Sequence, residues 1–246
     1  MRVIQKNNYE AISKLAAEIV ARKIGKKSNL VLGLATGSTP LGLYKELINM
    51  HKNEGLDFSK VTTFNLDEYI GLPQNHHQSY HYFMYENFFK HININPKSIN
   101  IPDGMSDKNE IACNQYEDKI RHAGGIDFQI LGIGSNGHIA FNEPGSSLSS
   151  RTRVKALSKK TIKDNSRFFK SIDEVPTKAI TMGIGTIMSS REILLIANGQ
   201  NKSEIIKNCI EGPISAICPA SILQMHRKVT VLLDKDAASN LTLELE

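Results

Sequence analysis

The stretch Ile126-Asp127-Phe128-Gln129-Ile130-Leu131-Gly132-Ile133-Gly134-Ser135-Asn136-Gly137-His138-Ile139-Ala140-Phe141-Asn142-Glu143-Pro144-Gly145 decides the fold. Its apolar first part, rich in Ile and Leu, runs into glycines at 132, 134 and 137. That is how a buried parallel strand opens into a loop at its carboxyl end, where ligands bind in open α/β sheets. An imidazole at His138 and a carboxylate at Glu143 follow, and Pro144 and Gly145 hold the latter in a non-helical turn.

Gly132, Gly134 and Gly137 also spell G-x-G-x-x-G. A dinucleotide site would need a helix opening at Gly137 and an acidic residue about 20 positions further on. Pro144 cuts such a helix short, and the positions in question hold Val154, Lys155, Ala156, Leu157 and Ser158. The stretch reads instead as a His and carboxylate pair held on a loop for proton transfer, since imidazole titrates near neutrality and a carboxylate can fix its tautomer. A loop histidine bonded only to backbone is the plainer alternative.

Outward from this stretch, β and α patterns alternate over all 246 residues without a repeat, a low-complexity tract or a linker. The expected fold is a single-domain α/β, doubly wound, mostly parallel sheet with helices on both faces, Rossmann-like. Residues 8 to 25 form an amphipathic helix ending at Gly25, and Leu30 to Ala35 a buried strand. Val61 to Leu66 and Ile99 to Ile101 are further strands, as are Arg151 to Leu157, Ala179 to Met182, Glu192 to Ala197 and Val229 to Leu233. Helices are expected at about 107 to 122, 201 to 211 and 219 to 226. Ser79 caps another, with Tyr80, Phe83, Met84, Asn87 and Phe88 near one face.

The turn Thr36-Gly37-Ser38-Thr39-Pro40 joins the 30 to 35 strand to a helix. Small residues at a helix amino terminus present unpaired N–H groups and a positive dipole end to an anion, although the same residues also suit an ordinary strand-to-helix turn. No Gly-Lys-Ser/Thr follows, so it is not a P-loop. Val61 to Leu66 delivers Asp67, Glu68 and Tyr69 to the same sheet edge. A helix cap, a surface pair and a general base are the uses open to these two acids. His77 and His81, spaced i, i+4, invite a metal reading, but no carboxylate or Cys completes a ligand set. The polar segment from Lys159 to Lys178 is either a solvated helix or a lid, spanning about 158 to 178.

Hydrophobic residues make up 40% of the chain and charged residues 22%, which is ordinary globular composition. The formal net charge of +5 mildly favours anionic ligands. Basic residues are scattered, with no stripe interleaved with aromatics, so a phosphate-bearing metabolite fits and nucleic acid is not expected. Cys113, Cys209 and Cys218 show no C-x-x-C spacing, and neither a disulfide framework nor zinc is indicated. With no signal-peptide pattern and no run near the ~18 apolar residues of a membrane span, the expectation is a cytoplasmic protein with no membrane partner.

The run from Gly134 to Leu148, with its Gly-His-Ile-Ala-Phe-Asn-Glu-Pro, followed by Ser150-Arg151-Thr152-Arg153-Val154-Lys155, closely resembles the glucosamine-6-phosphate deaminases. These are isomerases that release ammonia from an amino sugar phosphate. Asn75-His76-His77-Gln78-Ser79-Tyr80 resembles another family segment and is assigned no chemistry. The resemblance implies that Asp67, first acid of Leu-Asp-Glu-Tyr, abstracts the sugar proton, and that His138 shuttles the proton that opens the ring. It implies that Glu143 orients the imidazole, and that Gly37, Ser38, Thr39, Arg167 and Lys202 bind phosphate. Arg grips phosphate through two parallel bonds and Lys acts as a point charge. No metal or organic cofactor is implied. The partner is a small amino sugar phosphate, and the chain a monomer or homo-oligomer.

Many family members carry Asp where this chain has Asn136. An amide still accepts a hydrogen bond from imidazole but cannot neutralise an imidazolium, so Glu143 is expected to bear more of that role. A lactonase acting on 6-phosphogluconolactone, a deaminase for galactosamine 6-phosphate and a non-catalytic sugar phosphate sensor are the alternatives. The lactonases lack the Phe141-Asn142-Glu143-Pro144 continuation and the Leu66-Asp67-Glu68-Tyr69 block. Members activated by N-acetylglucosamine 6-phosphate carry Thr after Arg-x-Lys and a longer carboxyl tail. Here Ala156 follows Arg153-Val154-Lys155, and the sequence ends at Glu246. Weak or absent activation is therefore expected, and a sigmoidal substrate curve made hyperbolic by that effector would contradict it.

Overall fold

The computed structural model describes residues 1–243, apart from the side chains of Asp164 and Phe168. Glu246, on which the short-tail expectation rests, lies outside the described residues.

The chain begins with strand β1 (Arg2–Lys6), and helix α1 (Tyr9–Lys26) follows, started by Asn8, whose side chain accepts the Ala11 N–H at 2.9 Å. Strand β2 (Val31–Leu34), helix α2 (Leu41–Glu54), strand β3 (Thr62–Asn65), strand β4 (Asp67–Tyr69) and helix α3 (Tyr80–Asn87) come next. Gly55, at φ 76°, ends α2 in the left-handed conformation. Strand β5 (Ile99–Asn100), helix α4 (Asn109–His122), strand β6 (Phe128–Leu131) and strand β7 (Arg153–Ala156) lead to helix α5 (Lys159–Asn165). Strand β8 (Lys178–Thr181), helix α6 (Ile184–Met188), strand β9 (Glu192–Ala197) and helix α7 (Ser203–Ile210) then precede strand β10 (Val229–Asp234) and helix α8 (Lys235–Ala238).

Seven strands form a parallel sheet in the order β1-β10-β9-β6-β2-β3-β5. Side chains alternate between its faces, as pleating requires. On β9, Ile193, Leu195 and Ala197 join one core with α4, α6, α7 and α8, while Leu194 and Ile196 join the other with α1, α2 and α3. Both faces are therefore covered, and the central strands read as continuous apolar runs. From β2 the chain winds outward through β3 to β5, then returns to β6 on the other side of β2 and winds through β9 to β10. The switch in direction lies between β2 and β6, where a crevice forms at the carboxyl ends. Gly33 on β2 permits the close pairing there, because a Cβ would stand 2.1 Å from the Gln129 side chain.

Two expectations need correction, and one strand was not anticipated. The strands expected at 151 to 157 and 179 to 182 are not in the main sheet: β7 and β8 pair antiparallel with each other, and β8 with β4, as a separate three-stranded sheet in the order β4-β8-β7. Its core of Tyr69, Phe141, Leu157 and Ala179 packs against Tyr80, Ile162 and Phe169. The expected helix at 219 to 226 is a 3-10 helix over Pro219–Met225. Strand β1 was not foreseen, because only Val3 and Ile4 of its five residues are buried. Of the 158 to 178 segment, α5 and two short 3-10 turns are helical. No described helix is long and apolar enough to cross a membrane.

Candidate active site

A cleft of about 730 Å³ opens at the carboxyl edge of the main sheet. The chain leaving adjacent strands β3, β2, β6 and β9 supplies its floor through Asp67, the 36 to 39 turn, Gly132 to Ser135 with His138, and Asn201-Lys202. Lys163, Asn165, Arg167 and Phe169 line it from the segment after β7. Of the nine residues singled out in the sequence, seven line this cleft: Gly37, Ser38, Thr39, Asp67, His138, Arg167 and Lys202. Asn136 and Glu143 stand behind the imidazole.

The two acids at 67 and 68 have separate uses. Glu68 accepts N–H groups from Tyr69 at 2.8 Å, Tyr80 at 2.9 Å and His81 at 2.8 Å, so it ties the start of α3 to β4. Burial raises its carboxyl to about 7, against the pull of those three donors. Asp67 is 6% exposed and borders the cleft. Burial first, and then the charge of Glu68, push its pKa up to about 8, with the Phe141 N–H acting the other way. A carboxylate so placed is a stronger base than an exposed one, and a cationic group entering the cleft favours its ionised form.

The loop after β6 is shaped around His138. Gly137 turns at φ 83°, the Gly134 N–H donates to the His138 carbonyl at 2.9 Å, and the imidazole lies across Gly134, where a Cβ would meet its Cε1 at 2.1 Å. No helix opens here, which removes the dinucleotide reading; Ile139 and Asn142 instead form an isolated bridge. Ala140, at φ 52°, holds a left-handed conformation uncommon for a residue with a Cβ.

The hydrogen bonds link Glu143 to the imidazole of His138 through an amide, and the charges of the two side chains also act on each other. Asn136 stands between them, with Oδ1 2.6 Å from His138 Nδ1 and Nδ2 donating to Glu143 Oε2 at 3.0 Å. The amide oxygen thereby favours the tautomer with hydrogen on Nδ1. Burial acts to raise the Glu143 pKa, yet it is held below the ordinary value by the Thr161 hydroxyl, the charge of His138, the Ser158 N–H and the Asn136 amide.

The anion site also differs in part. Of the first-turn donors of α2, the Leu41 N–H reaches the Ser38 carbonyl at 3.4 Å and the Gly42 N–H donates to the Tyr9 hydroxyl at 2.7 Å. The helix end is thus not wholly unpaired, and the 37 to 39 turn with its hydroxyls is what borders the cleft. Lys202 Nζ donates to the Ile133 carbonyl at 2.8 Å, which uses one of its three hydrogens and ties the β9 and β6 loops together. Tyr80 packs against the core of the small sheet, and its ring stacks on Phe141, with centroids 5.9 Å apart, as a wall of the cleft. His77 and Gln78 line the cleft too, and the His77 ring packs edge-on against Tyr82 at 4.7 Å.

Folding raises the Asp67 pKa from 3.8 to about 8, so between those values the folded state holds a proton that the unfolded chain has released. Stability must therefore fall as pH rises through that window. Asp67→Asn removes the charge at nearly constant shape. The variant should be more stable than the parent in urea unfolding at pH 8, by on the order of a few kcal/mol, with the margin closing toward pH 4. A margin independent of pH would contradict the burial of this charge.

The sequence pattern of the family described as glucosamine-6-phosphate isomerases/6-phosphogluconolactonase matches residues 5–232. The chain is 57% identical over 239 residues to a glucosamine-6-phosphate deaminase of Thermoanaerobacter sp. (strain X514), covering 97% of this chain and 94% of that one. It superposes on a solved monomeric glucosamine-6-phosphate deaminase with a TM-score of 0.96 at 49% identity, covering 98% and 100% of the two chains. A 6-phosphogluconolactonase from Trypanosoma cruzi shares the fold, with a TM-score of 0.79 at 22% identity over 98% and 97%. On the match across nearly its whole length, the chain belongs to the glucosamine-6-phosphate isomerase/6-phosphogluconolactonase family.

Proposed function

We propose that the chain converts glucosamine 6-phosphate and water to fructose 6-phosphate and ammonia, an aldose-to-ketose isomerisation joined to a deamination. The observation that carries this is the convergence of Asp67, His138 and the 37 to 39 turn on one cleft, in a chain 57% identical to a protein named for that reaction. The phosphoryl group is held by the turn, Lys202 and Arg167, with the sugar reaching toward β3 and β6. Both ends of the substrate then match the site in charge: the phosphate meets cations, and the ammonium meets Asp67.

His138 moves a proton between the anomeric hydroxyl and the ring oxygen, which opens the pyranose and frees the C1 aldehyde. Asp67 then takes the proton from C2, which the neighbouring carbonyl and ammonium acidify. Return of a proton to C1 leaves an imine at C2, and water adds there to expel ammonia. The raised basicity of Asp67 suits proton abstraction from carbon, and the incoming ammonium draws the carboxyl into its charged form. Asn136 and Glu143 hold the imidazole in one tautomer and offset its positive charge during ring opening.

The similarity to the lactonase from Trypanosoma cruzi is one of fold, at 22% identity against 49% for the solved deaminase. Purified protein should release ammonia from glucosamine 6-phosphate and leave 6-phosphogluconolactone hydrolysis near background. Asp67→Asn should lose at least a hundredfold in turnover and Glu143→Gln at least about tenfold. Ammonia release unaffected by Asp67→Asn would remove the assigned base, and lactone hydrolysis without ammonia release would reverse the assignment.

A further inference from the structure

The segment that follows β7 turns one polar face inward. Ser158 caps α5, and Thr161 and Asn165 follow it at i+3 and i+7, the spacing that places them on one side of the helix. Asn165 Nδ2 donates to the Tyr69 hydroxyl at 2.7 Å. The Ser158 N–H donates to Glu143 Oε1 at 3.3 Å, and the Thr161 hydroxyl donates to the same oxygen in a short bond. Thr161 is 4% exposed and Glu143 5%.

The bond from Thr161 is not needed to start the helix. The Ser158 hydroxyl already accepts the Thr161 N–H at 3.1 Å, which is the capping interaction. The same hydroxyl can donate to Thr161 Oγ1 at 3.2 Å, so a chain of two hydroxyls points at the carboxylate. On its other side, Glu143 Oε2 accepts from Asn136, whose Oδ1 meets His138 Nδ1. One carboxylate is thus shared between two bodies: an oxygen for the segment that carries Lys163 and Arg167 to the cleft, and an oxygen for the amide that holds the imidazole.

We propose that Thr161 is a positioning residue: its hydroxyl locks Glu143 in the rotamer that engages Asn136, so that seating of the 158 to 169 segment over the cleft and readiness of His138 are a single event. This rests on the roles given above to His138 and Glu143. The geometry makes the link specific. Without the hydroxyl, Oε1 keeps only the longer bond from Ser158, in a setting too buried for water to replace the lost donor freely. The groups meeting Glu143 from α5 are the neutral Ser158 and Thr161; those from the β6 loop are Asn136 and His138, of which His138 is titratable. Loss of the hydroxyl therefore makes Glu143 easier to protonate, and the charge that offsets the imidazolium disappears at a higher pH.

The test measures kcat and KM for ammonia release against pH in Thr161→Val, Thr161→Ser and Glu143→Gln, with thermal melts of each. Thr161→Val keeps the shape without the donor. It should lower kcat roughly tenfold, the order expected for one hydrogen bond to a charged group, leave KM within about twofold, and move the acid limb to higher pH. Thr161→Ser should restore both kcat and the acid limb. Should the Val protein fail to fold, Thr161→Ala carries the same comparison. Parent-like kcat and acid limb in Thr161→Val, with Glu143→Gln impaired, would overturn the link alone, as would equal impairment of Val and Ser. Full turnover in Glu143→Gln would remove the role of Glu143 and this proposal with it.

Discussion

Strands β2 and β6 lie side by side, yet the chain leaves them in opposite directions, so the connections at their carboxyl ends part and a crevice must open between them. Each chemical group discussed above occupies a position relative to that opening. The 36 to 39 turn leaves β2, the His138 loop leaves β6, Asp67 follows the neighbouring β3, and Lys202 follows the neighbouring β9. Four consecutive strands of one sheet thus deliver a small-residue turn, a carboxyl group, an imidazole and a lysine to one cleft. The rigidity of a sheet covered on both faces fixes their spacing, and loops alone would not.

Within the cleft, low dielectric separates groups of the same type into different uses. Asp67 and Glu68 are adjacent carboxyls, both raised by burial. Glu68 meets three backbone donors and serves as the anchor of α3, while Asp67 keeps an edge on the cleft. Since Glu68's charge adds to the cost of ionising Asp67, the anchoring acid also tunes the functional one. On the β6 side an amide, Asn136, touches the imidazole, and the charge sits one residue further back on Glu143.

The strands and their order of appearance were legible because buried parallel strands are short apolar runs bounded by turns, as at 30 to 35 and 192 to 197. Five cleft residues, Gly37, Ser38, Thr39, Asp67 and His138, were legible for a related reason: residues directly after such runs stand at carboxyl ends, whereas Arg167 and Lys202 were indicated only by the family resemblance. Membership of a sheet was not legible. Nothing local to 153 to 156 or 178 to 181 says that these strands pair antiparallel with each other, and the second of them with 67 to 69, because pairing depends on partners far away in sequence. The edge strand β1 escaped notice with only two buried side chains. The interposition of Asn136 and the inward reach of Thr161 depend on three-dimensional closure, and the spacing of Ser158, Thr161 and Asn165 reads equally well as the polar face of a solvated helix. The small sheet that eluded sequence reasoning is also the part that carries this segment to the cleft.

The central claim is that the phosphate turn and the assigned base address opposite ends of one sugar. The most direct measurement is a crystal structure with the open-chain amino alcohol of glucosamine 6-phosphate, which lacks the C1 carbonyl and cannot isomerise. The account predicts its phosphate against Gly37, Ser38 and Thr39, with Lys202 and Arg167 on the remaining oxygens, and its C2 within contact distance of the Asp67 carboxylate. A phosphate bound elsewhere in the cleft, or a C2 facing away from Asp67, would contradict it.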